Sequence, residues 1–131
     1  LTDMTDEVRR FREEQYLATH DRLTGLYNRE YFFQKAEQIL RRKPDVERFM
    51  ICTNIKNFKL VNDLFGEETG DRVLVDQAAM LKFSNYEDCI QGRIGADRFA
   101  MLIAKEHFNA DLAEKSTGRL QYLILYWAFI R

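Results

Sequence analysis

The chain has 131 residues, 46% of them apolar, with 20 basic side chains against 21 acidic ones and a formal charge of −1. That length buries one core and is too short for two ordinary domains, so one domain with an appendage is expected. The near-neutral balance excludes a global field toward nucleic acid or an anionic membrane and leaves any phosphate binding to local groups.

Cys52 and Cys89 stand far apart in apolar surroundings, with no CxxC and no Cys/His cluster. They read as reduced core residues, which points to a cytoplasmic setting. The longest apolar run, Tyr122–Ile130, is about half the length a membrane span requires, and Leu1–Glu14 is too charged for a signal peptide.

Thr2–His20 is polar and helix-forming, with Val8, Phe11, Gln15 and Leu17 as a thin seam. Residues 1–20 therefore form a linker helix, for which two readings stand: a signalling coiled coil or a solvated helix ordered by docking. Asp21-Arg22-Leu23-Thr24-Gly25-Leu26-Tyr27-Asn28 breaks the pattern, and Asn28 suits an N-cap. The next helix has Phe32, Ala36, Ile39 and Leu40 on one face, carries Arg41, Arg42 and Lys43 in its last turn, and stops before Pro44.

Phe49–Ile55 is a nearly continuous apolar run, the mark of a central strand covered on both faces, and it ends in the polar Asn54-Ile55-Lys56-Asn57. Phe58–Leu64 forms a short helix closed by Gly66, and Thr69–Phe83 a longer one with Val73, Leu74, Ala78 and Leu81 inward. Cys89–Ile94 and Phe99–Ala104 read as a hairpin around Gly95-Ala96-Asp97-Arg98. Asn109 caps a further helix through Leu120, and Tyr122–Ile130 is the last strand. This order gives an α/β (α+β) fold, a mixed and mostly antiparallel sheet flanked by helices.

Three segments appear in order: DRLTGLYNR at Asp21–Arg29, NIKNFKLVNDLFGEETGD at Asn54–Asp71, and RIGADRFAML at Arg93–Leu102. Together they resemble the GGDEF (diguanylate cyclase) family over residues 15–131, with residues 21–131 as the domain and its C-terminal part missing. The resemblance implies a nucleotidyl-cyclase or palm-like fold in which two subunits each present one GTP. Two Mg²⁺ ions then assist attack of a ribose hydroxyl on the α-phosphate, chemistry that needs carboxylates as hard oxygen ligands.

The family pattern places two acids at the end of the first strand and two in the hairpin. Here Asn54 and Lys56 stand at the strand positions, and the signature reads Gly95-Ala96-Asp97-Arg98-Phe99. Four carboxylates become one amide, two cations and the single acid Asp97, so the formal charge rises from −4 to +1. Unit charges about 4 Å apart interact by roughly 4 kcal/mol at an effective dielectric near 20, so Mg²⁺ is repelled. If Ala96 takes the positive φ that the family's second glycine permits, its Cβ costs on the order of 1 kcal/mol.

The base-reading residues of the family match Asn62 and Asp71, which also have ordinary uses as helix caps. Phe58 and Lys59 open the short helix, where free N–H groups favour phosphate, with Lys56, Lys59 or Arg98 as counter-charge in place of metal. Glu67 occupies the place of a family histidine. His20 and His107 have no metal-ligand spacing. The family's Arg-x-x-Asp product-inhibition motif reads Tyr86-Glu87-Asp88-Cys89 here, so product feedback there is not expected.

The reading is a degenerate, catalytically silent GGDEF domain in cyclic-di-GMP signalling. It regulates an attached or partner output domain, such as a phosphodiesterase, through GTP binding or dimer contacts, with an upstream sensor as a further partner. Two alternatives stand beside it: an active diguanylate cyclase using Asp97 and Mg²⁺, and a ligand-free homodimerisation module.

Overall fold

The computed structural model describes residues 4–82 and 86–108 and, for 120–127, the backbone alone. Helix α1 (Met4–Thr19) buries none of its residues and meets the remainder of the chain at its last turn. Asn28 makes that junction. Its Oδ1 accepts from Tyr31 N at 2.9 Å as an N-cap, and its Nδ2 donates to the carbonyls of Leu17 (3.4 Å) and Ala18 (3.1 Å) at the end of α1. One amide thus starts α2 (Arg29–Arg42) and satisfies acceptors that α1 leaves open.

Helix α2 buries Phe32, Ala36 and Ile39 and ends at the Lys43 cap, whose N–H reaches Ile39 O. Arg42 and Lys43 then bond the Asp88 carboxylate at 2.6 and 3.1 Å. Burial alone would raise the Asp88 pKa, but Lys43 and Arg42 outweigh it and hold the carboxyl below its ordinary value. Asp88 sits at φ 59°, and this left-handed residue delays strand β2 to Ile90–Arg93, one residue later than expected at its start.

Strands β1 (Arg48–Ile55), β2, β3 (Arg98–Ala104) and β4 (Leu120–Trp127) form one antiparallel sheet in the order β2-β3-β1-β4. The central place of β1 explains its continuous apolar run. On one face Phe32, Ala36 and Ile39 pack against Ile90, Ala100 and Leu102, with Met50 and Cys52 beside them. On the other, Ile55 and Phe99 join Leu26, Leu74 and Ala78. Arg48, the first residue of β1, is 2% exposed and its Nε has no partner; burial lowers its pKa and Asp88 opposes that shift.

Helices α3 (Phe58–Phe65) and α4 (Glu67–Leu81) share Gly66, which closes one and opens the other at φ 90°. Helix α4 therefore starts two residues before the expected Thr69 and ends at Leu81, before the expected Phe83, which lies outside the described residues. The helix expected from Asn109 falls on residues 109–119, also outside the description, while Leu120 already belongs to β4. The last strand is thus earlier than Tyr122–Ile130, and residues 128–130 lie outside the description.

Gly92 in β2 faces α2 directly: a Cβ there would stand 2.7 Å from Cβ, Cγ and Cδ1 of Phe32. Phe32 is fully buried and cannot retreat. Gly92→Ala is expected to lower stability by about 1–3 kcal/mol, measured as a fall in thermal midpoint.

Candidate nucleotide site

The β1–β3 register sets Asn54 directly across from Arg98, and Ile55 N donates to Asp97 O at 3.1 Å. Cross-strand partners of this kind have Cβ atoms roughly 4.5–5.5 Å apart. Two positions that the family fills with acids are therefore neighbours, and here they hold an amide and a guanidinium. Cys52 lies on the same strand face. Burial pushes its thiol up, and the Arg98 charge pulls it back in part, as expected for a cation held over that face.

The hairpin is closed by Ile94 N to Arg98 O at 2.9 Å, Gly95 N to Arg98 O at 3.3 Å and Arg98 N to Gly95 O at 3.4 Å. Neither Gly95 nor Ala96 has a positive φ. The conformational penalty expected for Ala96 is therefore absent, because the turn adopts a shape that an L-residue accepts.

Arg93 holds this turn from behind. Its Nη2 donates to Ala96 O at 2.7 Å, its Nε to Gly95 O at 3.3 Å, and its Nη1 to both Asp21 carboxylate oxygens at 3.2 and 3.3 Å. Asp21 in turn accepts from Thr24 N (2.9 Å) and Thr24 Oγ1 (2.8 Å), while Lys82 Nζ donates to Thr24 O at 3.0 Å. The turn after α1, the end of α4 and the signature hairpin are thereby joined through one carboxylate and one guanidinium. Burial would raise the Asp21 pKa, but the Thr24 hydrogen bonds and the Arg93 charge bring it below the ordinary value.

At the end of β1, Asn57 takes φ 58° without a side-chain cap bond and turns the chain into α3. Lys56, Lys59 and Arg98 are exposed, and among the described residues none of them forms an ion pair. The side-chain capping that stood as an alternative for Asn62 and Asp71 is not formed among the described residues. Gly66 is the N-cap of α4, Asp71 is its exposed fifth residue, and Asn62 Oδ1 is buried with no hydrogen-bond partner. The Asn62 amide lies over Gly70, where a Cβ would come 1.8 Å from Oδ1. Gly70 thus makes the space that the amide fills, and Asp71 follows it at the rim. Phe58 is half-buried beneath, with its ring tip 3.3 Å from the same Cβ position.

His20 stacks on Tyr16 at 4.3 Å, with Nδ1 2.7 Å from Thr19 Oγ1, and His107 stacks on Tyr86 at 3.9 Å. Among the described residues no group of three or more His, Cys, Asp or Glu converges as a metal cage, and no helix is long and apolar enough to cross a membrane. The donor set at Asn54, Lys56, Asp97 and Arg98 does not fit Mg²⁺, because it holds one carboxylate, one amide and two cations.

The family model described as "Diguanylate cyclase, GGDEF domain" matches residues 18–124. The chain is 35% identical over 125 residues to a diguanylate cyclase of Vibrio cholerae serotype O1, covering 90% of this chain and 38% of that protein. It is also 35% identical over 120 residues to MucR of Pseudomonas aeruginosa, a bifunctional diguanylate cyclase and cyclic di-GMP phosphodiesterase, covering 88% of this chain and 18% of that protein. The solved coiled coil and GGDEF domain of DgcB from Caulobacter crescentus, in complex with c-di-GMP, superposes with a TM-score of 0.72 at 25% identity, covering 95% of this chain and 78% of that one. The chain belongs to the GGDEF family, a domain of cyclic-di-GMP signalling, and spans between 18% and 38% of the length of the curated relatives it matches.

Sequence reasoning named Asn62, Asp71, Lys59, Asp97 and the signature as candidates, but not Arg93 and Asp21, which hold the signature turn, or Gly70, on which the Asn62 amide packs. Gly70 carried a signal, since a glycine inside a helix costs about 1 kcal/mol and calls for a packing reason. Arg93 and Asp21 lay in quoted motifs, 72 residues apart, with nothing in either segment to pair them.

The lowered Asp21 pKa gives a pH signature. A carboxylate whose folded pKa lies below its unfolded value of about 3.8 adds stability above that value, and this is lost as pH falls through the lowered one. Asp21→Asn is therefore expected to reduce the melting temperature at pH 7 and to flatten its decline below about pH 4. Thermal melts of both proteins across that range check it.

Proposed function

We propose that this chain is a catalytically silent GGDEF module that regulates an attached or partner output domain through GTP binding or dimer contacts. The carrying observation is the buried, unpartnered Asn62 Oδ1 beside Asp71. A buried acceptor without a partner costs about 1–3 kcal/mol, and turning the amide off Gly70 to accept from a bound base N–H removes that cost. Asp71 at the rim offers the charged acceptor that guanine's adjacent N–H groups match.

The phosphate side of the reading rests on Lys56, Lys59 and Arg98. These exposed cations form no ion pair among the described residues and stand at the start of α3 and at the hairpin, where they supply the positive charge that the family obtains from Mg²⁺. On this reading GTP binds without metal and is not joined to a second nucleotide. The MucR relative couples a cyclase with a phosphodiesterase in one protein, which supports an output domain of that class.

Isothermal titration with GTP tests the nucleotide arm. Heat is expected in the absence of Mg²⁺, with affinity at least about tenfold weaker in Asp71→Ala and in Asn62→Ala. GTP binding that requires Mg²⁺, or none in the folded protein, would remove this arm.

The charge argument has its own test. Replacing Asn54→Asp, Lys56→Asp and Arg98→Glu together is expected to create Mg²⁺ binding that the parent lacks, read as Mg²⁺-dependent heat in nucleotide titrations. Cyclic di-GMP made from GTP by the parent chain, and abolished by Asp97→Ala, would overturn the assignment as silent.

A further inference from the structure

The end of β1 and the turn beside it present hydrogen-bond donors and few acceptors. Asn54 lies across from Arg98, Lys56 follows two residues on, and Lys59 stands in the first turn of α3. Lysine and arginine side chains donate and cannot accept. Asn57 caps α3 without a side-chain hydrogen bond, so the first N–H groups of that helix are further donors open to an anion. Between Asn54 and Lys59 and between Gly95 and Phe99, Asp97 is the single carboxylate against three cations.

A nucleotide carrying Mg²⁺ presents the wrong surface to these groups. The ion bridges the β- and γ-phosphate oxygens and keeps several of its waters. Those waters point their hydrogens outward, so they would meet Lys56 and Arg98 donor against donor. The ion itself would stand as a dication among cations, where like charges repel. A bare phosphate chain meets the same side chains as acceptor against donor and as anion against cation.

The number of phosphates decides how much of each nucleotide is bare. A triphosphate grips Mg²⁺ through its β and γ groups together. A diphosphate has lost the γ group and holds the ion less firmly, and a monophosphate holds it least.

We propose that this site takes guanine nucleotide only when free of Mg²⁺, so that where the ion is present it holds guanosine diphosphate in preference to the triphosphate. Asn62 and Asp71 meet the base in both nucleotides, while Lys56, Lys59 and Arg98 draw the bare phosphates. Stripping Mg²⁺ from the triphosphate costs affinity that the diphosphate largely keeps. The ligand is then supplied by reactions that remove the γ-phosphate of GTP, and the module answers to GTP consumption. This selectivity rests on the nucleotide arm of the reading above.

The experiment is isothermal titration of the full chain with GTP, GDP and GMP, each in EDTA and in excess Mg²⁺. Equal ionic strength in the two buffers removes plain screening from the comparison. GTP is expected to bind tightest in EDTA. Excess Mg²⁺ is expected to weaken GTP at least about tenfold and GMP less than about twofold, leaving GDP ahead of GTP. Lys56→Asn with Arg98→Gln, shown to be folded by circular dichroism, should weaken bare GTP and lose most of the Mg²⁺ effect. GTP affinity that Mg²⁺ leaves unchanged, or GTP still ahead of GDP in Mg²⁺, would overturn the selectivity while the nucleotide arm stands. A Mg²⁺ effect undiminished in the double variant would overturn it too, because the cations would not be its source. No heat from any of the three nucleotides would remove the nucleotide arm and the selectivity together.

Discussion

The antiparallel register of β1 against β3 is the constraint from which the site follows. It sets residue 54 across from residue 98 and brings Ile55 N to Asp97 O. Because side chains alternate along a strand, the same register sends Ile55 and Phe99 into one core and Cys52 and Ala100 into the other. Slipping by one residue would exchange both cores with the two faces and cost the whole hydrophobic set. The composition of the site is therefore free to vary, while its geometry is not.

Clustered carboxylates repel one another and require bound cations to offset the repulsion. With Asn54, Lys56 and Arg98 at those places, the end of β1 carries no such repulsion. The support behind the hairpin is retained nonetheless. Arg93 still holds Gly95 O and Ala96 O and still reaches Asp21. The residues that position the turn and those that would do chemistry in it are separable, and only the second group has changed its charge.

Much of the fold was legible because periodicity and caps are local. The Asn28 cap, the stop before Pro44, the apolar run of β1 and the hairpin all read directly from spacing and residue type. The shared Gly66 displaced the start of α4 because one glycine at φ 90° serves two helices, which no propensity scale encodes. The site was legible through the family resemblance, which pointed to Asn62 and Asp71, but local chemistry equally allowed capping. The structure bears on capping alone: Gly66 is the N-cap of α4, and Asn62 Oδ1 over Gly70 has no hydrogen-bond partner. Arg93 and Asp21 escaped because an ion pair across 72 residues is a property of the packed fold.

On the proposed reading, the fate of the positive charge distinguishes a repurposed pocket from a ruined one. Loss of metal ligands alone would leave neutral or acidic groups, and a triphosphate would then meet no counter-charge. Here two of the altered positions became cations, both exposed and without ion pairs among the described residues. Cations that neutralised acids of the fold would be engaged by them, as Arg42 and Lys43 are by Asp88. Lys56 and Arg98 instead stand uncommitted at the end of the strand whose following helix carries Asn62. On the proposed reading, that arrangement suits an anionic ligand and not a filled and retired cleft.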